Sequence, residues 1–259
     1  MSYNMRRGQG SNASRKTRTK PIPGTDSKGR CYVSAEALWK GELRGDLYDP
    51  KKGWYGKSLE YWKNTPATID GVLGGISSIH DMDIKESADF ISALPDHGTK
   101  RAIDCGAGIG RIAKHLLCNI YEITDLLEPV EHMIIQAMKE LDGLPMGDFI
   151  LSSMEKVSLP PQTYDLIVIQ WCSIYLTDDD FVKFFRNAKQ ALTPQGYIFF
   201  KENCINGTTF VVDREDSSLT RSDLHYKQLF KKAGVRVVME SLQQEWPQDL
   251  FPVMMYGLQ

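Results

Sequence analysis

Residues 102–111 read Ala-Ile-Asp-Cys-Gly-Ala-Gly-Ile-Gly-Arg, and they constrain the chain more than any other stretch. A short apolar run leads into three glycines at every second position, and a helical pattern, Ile-Ala-Lys-His-Leu-Leu, leads out. Lacking Cβ atoms, such a backbone can turn sharply and approach a ligand closely, so the segment reads as the loop after the first strand of a nucleotide-type α/β domain. A dinucleotide loop spaces its glycines G-x-G-x-x-G. Here the third glycine comes one residue early and Arg111 holds its place, which disfavours a nicotinamide dehydrogenase.

The surrounding pattern predicts an α/β fold. Strands are expected over 101–105, 121–127, 148–152, 164–170 and 197–202, with helices over 109–117, 130–141 and 178–192 between them. The run Leu166-Ile167-Val168-Ile169 is apolar on both faces, as a central parallel strand covered by helices on each side requires. Alternating strands and helices imply a right-handed, doubly wound sheet with its ligand crevice at the C-terminal ends of the strands. A helix is expected over 219–233, capped by Gly234, and then a hairpin of 235–239 with 253–256. Ahead of the sheet, Ser34 is a candidate N-cap for a helix reaching as far as Leu47, and Pro95 stops a helix over 84–94. Between these, residues 54–75 combine aromatics with glycines in a way that suits a lid over a pocket rather than a long amphipathic helix.

The net charge of −2 conceals an asymmetry. Residues 1–30 hold eight lysines and arginines against Asp26 alone, so they carry +7 and leave −9 for the remainder. With almost nothing to bury, they are expected to be a disordered basic tail: a solvated linker, or more weakly a localisation signal or nucleic-acid contact. An acidic body favours a cationic substrate. The five cysteines show no C-x-x-C spacing, so neither a metal site nor a disulfide framework is expected and a reducing compartment fits. No apolar run suggests a signal peptide or a membrane span. A cytoplasmic or nuclear monomer is the expectation.

Several residues carry chemistry at the expected strand ends. Glu128 lies 22 residues after Gly106 and suits the two ribose hydroxyls of an adenosine, or else the N-terminus of the next helix. Arg111 is either a bidentate partner for a ligand carboxylate or an exposed first-turn arginine. Gln170 and Trp171 end the fourth strand, and Lys201-Glu202-Asn203 ends the fifth. Asp213 and Asp216 form an acidic mouth for a cationic acceptor, or they cap a following helix through Ser217 or Ser218.

The spacing D-x-G-x-G-x-G resembles motif I of class I S-adenosylmethionine-dependent methyltransferases. Taken with Tyr61-Trp62-Lys63, residues 68–75, Ile169-Gln170-Trp171, Leu176-Thr177-Asp178, Lys201-Glu202-Asn203 and Asp216-Ser217-Ser218, the chain resembles the eukaryotic protein α-N-terminal methyltransferases. The similarity is read from about Trp54 to the C-terminus, with no counterpart placed for the first 50 residues. That family methylates the free α-amino group of proteins beginning X-Pro-Lys or X-Pro-Arg after methionine removal.

The resemblance implies a doubly wound, seven-stranded Rossmann-like class I methyltransferase sheet with added N-terminal helices and a substrate-covering loop or hairpin. Its divisions would be the tail at 1–30, a helical lid extension at 31–98 and the S-adenosylmethionine-binding domain at 99–259. By the same resemblance, Gly106, Arg111, Glu128, Met154, Glu155, Gln170 and Trp62 would bind the donor and, after transfer, S-adenosylhomocysteine. Trp171 would pack on the substrate proline, Asn203 would hold the first residue's backbone and Asp213 would face the substrate Lys or Arg. Asp216 and Ser218 would lie beside the amine, with Leu73 and Gly74 in the peptide channel. The catalytic set would be Asp216, Asn203 and Tyr175. A familiar member has histidine where this chain has Tyr175, and tyrosine, with an ordinary pKa of ~10, is a poor base at neutral pH, so the burden shifts to Asp216. Glu155 stands where that member has glutamine, which moves an adenine contact to backbone. The alternatives are a class I methyltransferase acting on RNA or a small molecule, and a non-catalytic donor-binding scaffold.

Overall fold

The computed structural model describes residues 21–259, so most of the expected basic tail lies outside the described residues. The N-terminal part holds β1 (Gly24–Asp26), β2 (Cys31–Tyr32), α1 (Ala35–Glu42), α2 (Trp54–Asn64), α3 (Ile69–Val72) and α4 (His80–Ser92). Alternation follows: β3 (Arg101–Cys105), α5 (Arg111–His115), β4 (Ile123–Glu128), α6 (Glu131–Glu140), β5 (Met146–Leu151), β6 (Tyr164–Gln170), α7 (Asp178–Ala191) and β7 (Leu192–Ile205). A hairpin of β8 (Phe210–Asp213) and β9 (Ser218–Ser222) precedes α8 (Asp223–Ala233), and β10 (Val237–Leu242) and β11 (Val253–Leu258) complete the order.

β5, β4, β3, β6 and β7 pair in parallel in that order, then β11 pairs antiparallel with β7 and β10 antiparallel with β11. This seven-strand path is the expected Rossmann-like sheet. The chain leaves β3 toward β4 and β5, then returns to β6 on the other side of β3. That reversal opens a crevice at the carboxyl ends of β3 and β6, where Gly106 and Gln170 stand. β6 is buried along its whole length, as its apolar run requires. Ile167 and Ile169 pack with Phe181, Phe185, Phe200 and Phe230 on one face, while Leu166 and Val168 pack with Phe90, Ile91 and Phe199 on the other.

Three expectations are corrected. The segment 219–233 is not one helix: Ser218–Ser222 is strand β9, buried at every position between β8 and the end of β7, and only then does α8 begin. Burial on both faces removes the alternation that marks a strand in sequence. Asp213 and Asp216 therefore cap no helix. The tail does not extend to residue 30, because β1 adds in parallel to β8, with Gly24 opposite Phe210 and Asp26 opposite Val212. Composition cannot show a sheet edge supplied by residues about 190 positions away. Within 54–75, the aromatics sit on an eleven-residue helix, α2, that buries Trp54 and Tyr55. The expected N-cap holds, since Ser34 Oγ accepts from the Ala37 N–H at 3.1 Å, but α1 ends at Glu42. The C-terminal hairpin forms as expected.

Candidate active site

Gly106, Gly108 and Gly110 have φ of 73°, 56° and 75°, in the left-handed region that favours glycine. At Gly106 the space is also closed, because a Cβ there would stand 2.5 Å from Cys172 Cβ. The loop is tied to the end of β4: the Gly106 and Ala107 N–H groups donate to Leu127 O at 2.7 and 3.1 Å. Glu128 completes the tie, accepting from Gly108 N at 2.9 Å and from Val130 N at 2.8 Å. Burial pushes its pKa up to about 7, although those two N–H groups work against the rise. Ionised, the carboxylate still offers lone pairs for two further donors.

A cleft forms over this loop. Its walls bring together Trp62, Gly106, Arg111, Glu128, Met154, Glu155, Gln170, Trp171 and Tyr175 from six separate stretches of sequence. Tyr55, Ser58 and Leu59 of α2 join Trp62 in covering it, which makes α2 the lid. One oxygen of the Glu155 carboxylate, Oε1, is engaged, accepting from Tyr48 Oη at 2.9 Å and Ser153 Oγ at 2.5 Å.

Behind the cleft lies a charged cluster that the sequence reading missed. Asp83, fully buried in α4, meets Arg111 Nη1 at 2.8 Å and Lys201 Nζ at 2.5 Å. The same carboxylate takes two hydrogen bonds from Gln170 Nε2, each 2.9 Å, and Lys201 also donates to Ser87 Oγ at 2.9 Å. Anchoring Gln170 through its nitrogen leaves Oε1 buried without a donor among the described residues. Asp104 Oδ2 is likewise buried without a partner, and burial pushes that carboxyl up to about 7 against the pull of Arg111. Among the described residues, only Nη1 of the Arg111 fork is engaged, by Asp83 and by His80 Nδ1 at 3.4 Å. A legible signal existed: Asp83, Ser87, Phe90 and Ile91 share the buried face of α4, a carboxylate on an otherwise inward stripe.

Trp171 follows β6 with φ of 52°, an uncommon value for a bulky residue that turns its ring toward the cleft wall. Arg111 and Lys201 lie 5.6 and 5.8 Å from its ring centroid, and Trp246 lies 5.8 Å away on the β10–β11 connection. The indole N–H is buried without an acceptor among the described residues. Tyr175 reaches from the cleft to the β8–β9 turn, its hydroxyl donating to Asp216 Oδ2 at 3.1 Å. Burial, with Asp216 beside it, drives the tyrosine far above its ordinary pKa, so it stays protonated. Asp216 accepts from Ser218 N at 3.0 Å through its other oxygen, and burial raises its pKa even though Ser218 and Tyr175 donate to it.

The remaining expected residues stand apart from the cleft lining. Asn203 is half-buried, its N–H donating to Glu202 Oε1 at 3.0 Å and its carbonyl accepting from Tyr226 Oη at 3.1 Å. Asp213 is exposed and accepts from Glu215 N at 2.8 Å. Leu73 is buried, and Gly74 lines a separate open groove with Tyr61 and Glu215. Among the described residues, no group of three His, Cys, Asp or Glu is placed to hold a metal.

Chemically, the cleft offers buried acceptors for a cationic ligand and a partly free guanidinium for a carboxylate. Comparison with known proteins agrees. A family model described as AdoMet dependent proline di-methyltransferase matches residues 50–259. The alpha N-terminal protein methyltransferase 1 of Arabidopsis thaliana is 38% identical over 252 residues, 92% of this chain and 91% of that protein. The N-terminal Xaa-Pro-Lys N-methyltransferase 1-B of Xenopus laevis is 33% identical over 82% of this chain and 98% of its own length. A solved SAM-dependent methyltransferase of Leishmania major is 63% identical, with a TM-score of 0.92 over 97% of this chain and all of that one.

Proposed function

The chain belongs to the AdoMet-dependent proline di-methyltransferase family, and on that premise we propose that it methylates the free α-amino group of proteins beginning X-Pro-Lys or X-Pro-Arg. The observation that carries this reading is the Tyr175–Asp216 pair, which joins the cleft over the glycine loop to an acidic turn. S-Adenosylmethionine, when bound, supplies an electrophilic methyl group on a sulfonium. The residues fit it: Glu128 takes the ribose hydroxyls, Arg111 the carboxylate, and Gln170 Oε1 and Asp104 the positive charge. Gly106, Met154, Glu155 and Trp62 complete the walls. Glu155 Oε1 is held by Tyr48 and Ser153, and its adenine contact is assigned to backbone, as the resemblance implies.

On the acceptor side, only a neutral amine has a lone pair to attack. A free α-amino group titrates near 7.7–8.0, so a substantial minority is neutral at pH 7. Asp216 anchors the ammonium, and its raised pKa makes it a better proton acceptor than a solvated aspartate. Tyr175 is assigned to orienting Asp216 rather than to deprotonation, and Ser218 fixes the other oxygen. Trp171 presents a flat apolar wall to the second residue, where proline suits it by lacking an N–H and by its fixed φ. Asn203 holds the first residue's backbone, Asp213 faces the third residue's cation, and Leu73 and Gly74 form the outer channel. A monomer working in the cytoplasm or nucleus belongs to the same reading; no helix among the described residues is long and apolar enough to cross a membrane.

Incubation with labelled donor tests this against an X-Pro-Lys peptide, its N-acetylated twin and bulk RNA. Label is expected on the free-amine peptide alone. Label on RNA or on the blocked twin would overturn the assignment.

The Glu128 pKa gives a second expectation. If ribose hydroxyls meet the ionised carboxylate, donor binding expels a proton from Glu128, which by itself raises the affinity about tenfold from pH 5.5 to pH 7, beside any share from Asp104. Calorimetric titration of wild type and Glu128→Gln checks it, the variant binding more weakly and with a flatter pH profile. A wild-type affinity independent of pH would remove Glu128 from this role.

A further inference from the structure

The family model begins at residue 50, yet three elements ahead of it converge on one side chain in the acidic turn. Arg214 lies between Asp213 and Asp216. Its Nε donates to Asp26 Oδ2 of β1 at 2.9 Å, its Nη1 to Glu42 Oε1 at the end of α1 at 2.8 Å, and its Nη2 to the Tyr32 hydroxyl of β2. Side-chain exposure is 13% for Arg214, 3% for Asp26 and 21% for Glu42, so this is not a solvated surface pair. Burial opposes the charge on Asp26, but the Arg30 N–H and the side chains of Arg214 and Tyr32 override it and hold the carboxyl at about 2.

The backbone repeats the connection. Arg214 N donates to Ser27 Oγ at 3.0 Å, Ser27 N donates to Val212 O at 2.8 Å, and β1 runs in register beside β8. From the other side, Lys57 of the lid helix α2 donates to Arg214 O at 2.9 Å. The turn is closed by the pairing of Asp213 with Ser218 and touched by Tyr175. Its internal bonds span two residues each, and Ser217 sits at φ 58°, a conformation that persists only where the surroundings impose it.

We propose that residues 24–42 are a brace that positions the 213–218 turn for the acceptor peptide, with the Asp26–Arg214–Glu42 cluster as its latch. This rests on the reading that Asp213 and Asp216 face the acceptor. The latch touches no reacting atom; Arg214, Asp26 and Glu42 are positioning residues that act through the two aspartates. It also links lid and turn, since the carbonyl of the latched arginine is what Lys57 holds.

The full-length chain tests this as wild type, Arg214→Met, Arg214→Lys and Asp26→Asn, in two measurements. In hydrogen exchange, amides of residues 210–222 are expected to exchange about tenfold faster in Arg214→Met, while β3 and β6 keep their protection. In steady-state kinetics, kcat/KM for an X-Pro-Lys peptide is expected to fall about tenfold with donor Kd unchanged, and Arg214→Lys to recover part of the loss. Asp26→Asn is expected to lie between wild type and Arg214→Met. Unchanged exchange at 210–222 overturns the brace, as does an equal loss of donor affinity. A wild type that leaves the peptide unlabelled would instead overturn the acceptor reading, and exchange alone would then decide whether 24–42 hold the turn.

Discussion

Replacing Asp216 with Asn is expected to lower kcat on an X-Pro-Lys peptide by about a hundred- to ten-thousandfold while leaving donor affinity unchanged. The substitution keeps the shape and the bond from Ser218 N, because an amide oxygen also accepts, but it removes the only group in the turn assigned to take the proton. Donor affinity is spared because Gly106, Arg111 and Glu128 are held by β4 and Asp83, not by the turn. Tyr175 does not substitute as a base, since its proton is bound far more tightly than that of a free phenol. Single-turnover rates with calorimetric donor titration read the two quantities separately. An unchanged kcat would remove Asp216 from the proton-accepting role, and a parallel loss of donor binding would show that the variant damages the whole cleft.

Asp83→Asn should have the largest effect on stability, although Asp83 touches neither proposed substrate. Its carboxylate is the shared counter-charge of Arg111 and Lys201 and the anchor of Gln170, all of them buried. Removing one partner of a buried ion pair leaves uncompensated charge, at a cost of about 3–5 kcal/mol. Burial already lowers the Lys201 pKa, with Asp83 opposing that shift, so loss of Asp83 pushes the amine further toward its neutral form. A lysine neutral when folded and charged when unfolded makes stability rise with pH up to its unfolded pKa, so the variant's stability should climb more steeply toward alkaline pH than that of wild type. Urea denaturation should show a lower midpoint at unchanged slope, partly restored in Asp83→Asn with Lys201→Met. Absence of that coupling would show that the three charges are not one unit.

Much of this was legible in the sequence where the cause is local. The glycines announce themselves, because positive φ at Gly106, Gly108 and Gly110 is a property of each residue's own backbone. β3 and β6 fall where the apolar runs place them, and Glu128 ends β4 as expected, because short runs between turn signals need no distant partner to be recognised. β9 was illegible because what makes Ser218–Ser222 a strand is its position between β8 and β7. For β1 the missing information was the edge of β8, which lies far along the chain.

The same division runs through the site. The sequence by itself determined the doubly wound sheet, the glycine loop and, through resemblance, the residues expected around a methyl donor and an N-terminal peptide. Periodicity, glycine spacing and motif order are one-dimensional properties, and they survive without a structure. Only the tertiary structure decided that Asp83 stands behind Arg111, Gln170 and Lys201, that Tyr175 donates to Asp216, and that Arg214 is latched by Asp26 and Glu42. Each of these depends on an ion pair or hydrogen bond a few ångströms long between residues dozens to nearly two hundred positions apart. Such interactions act over distance in space, and sequence separation carries no record of it.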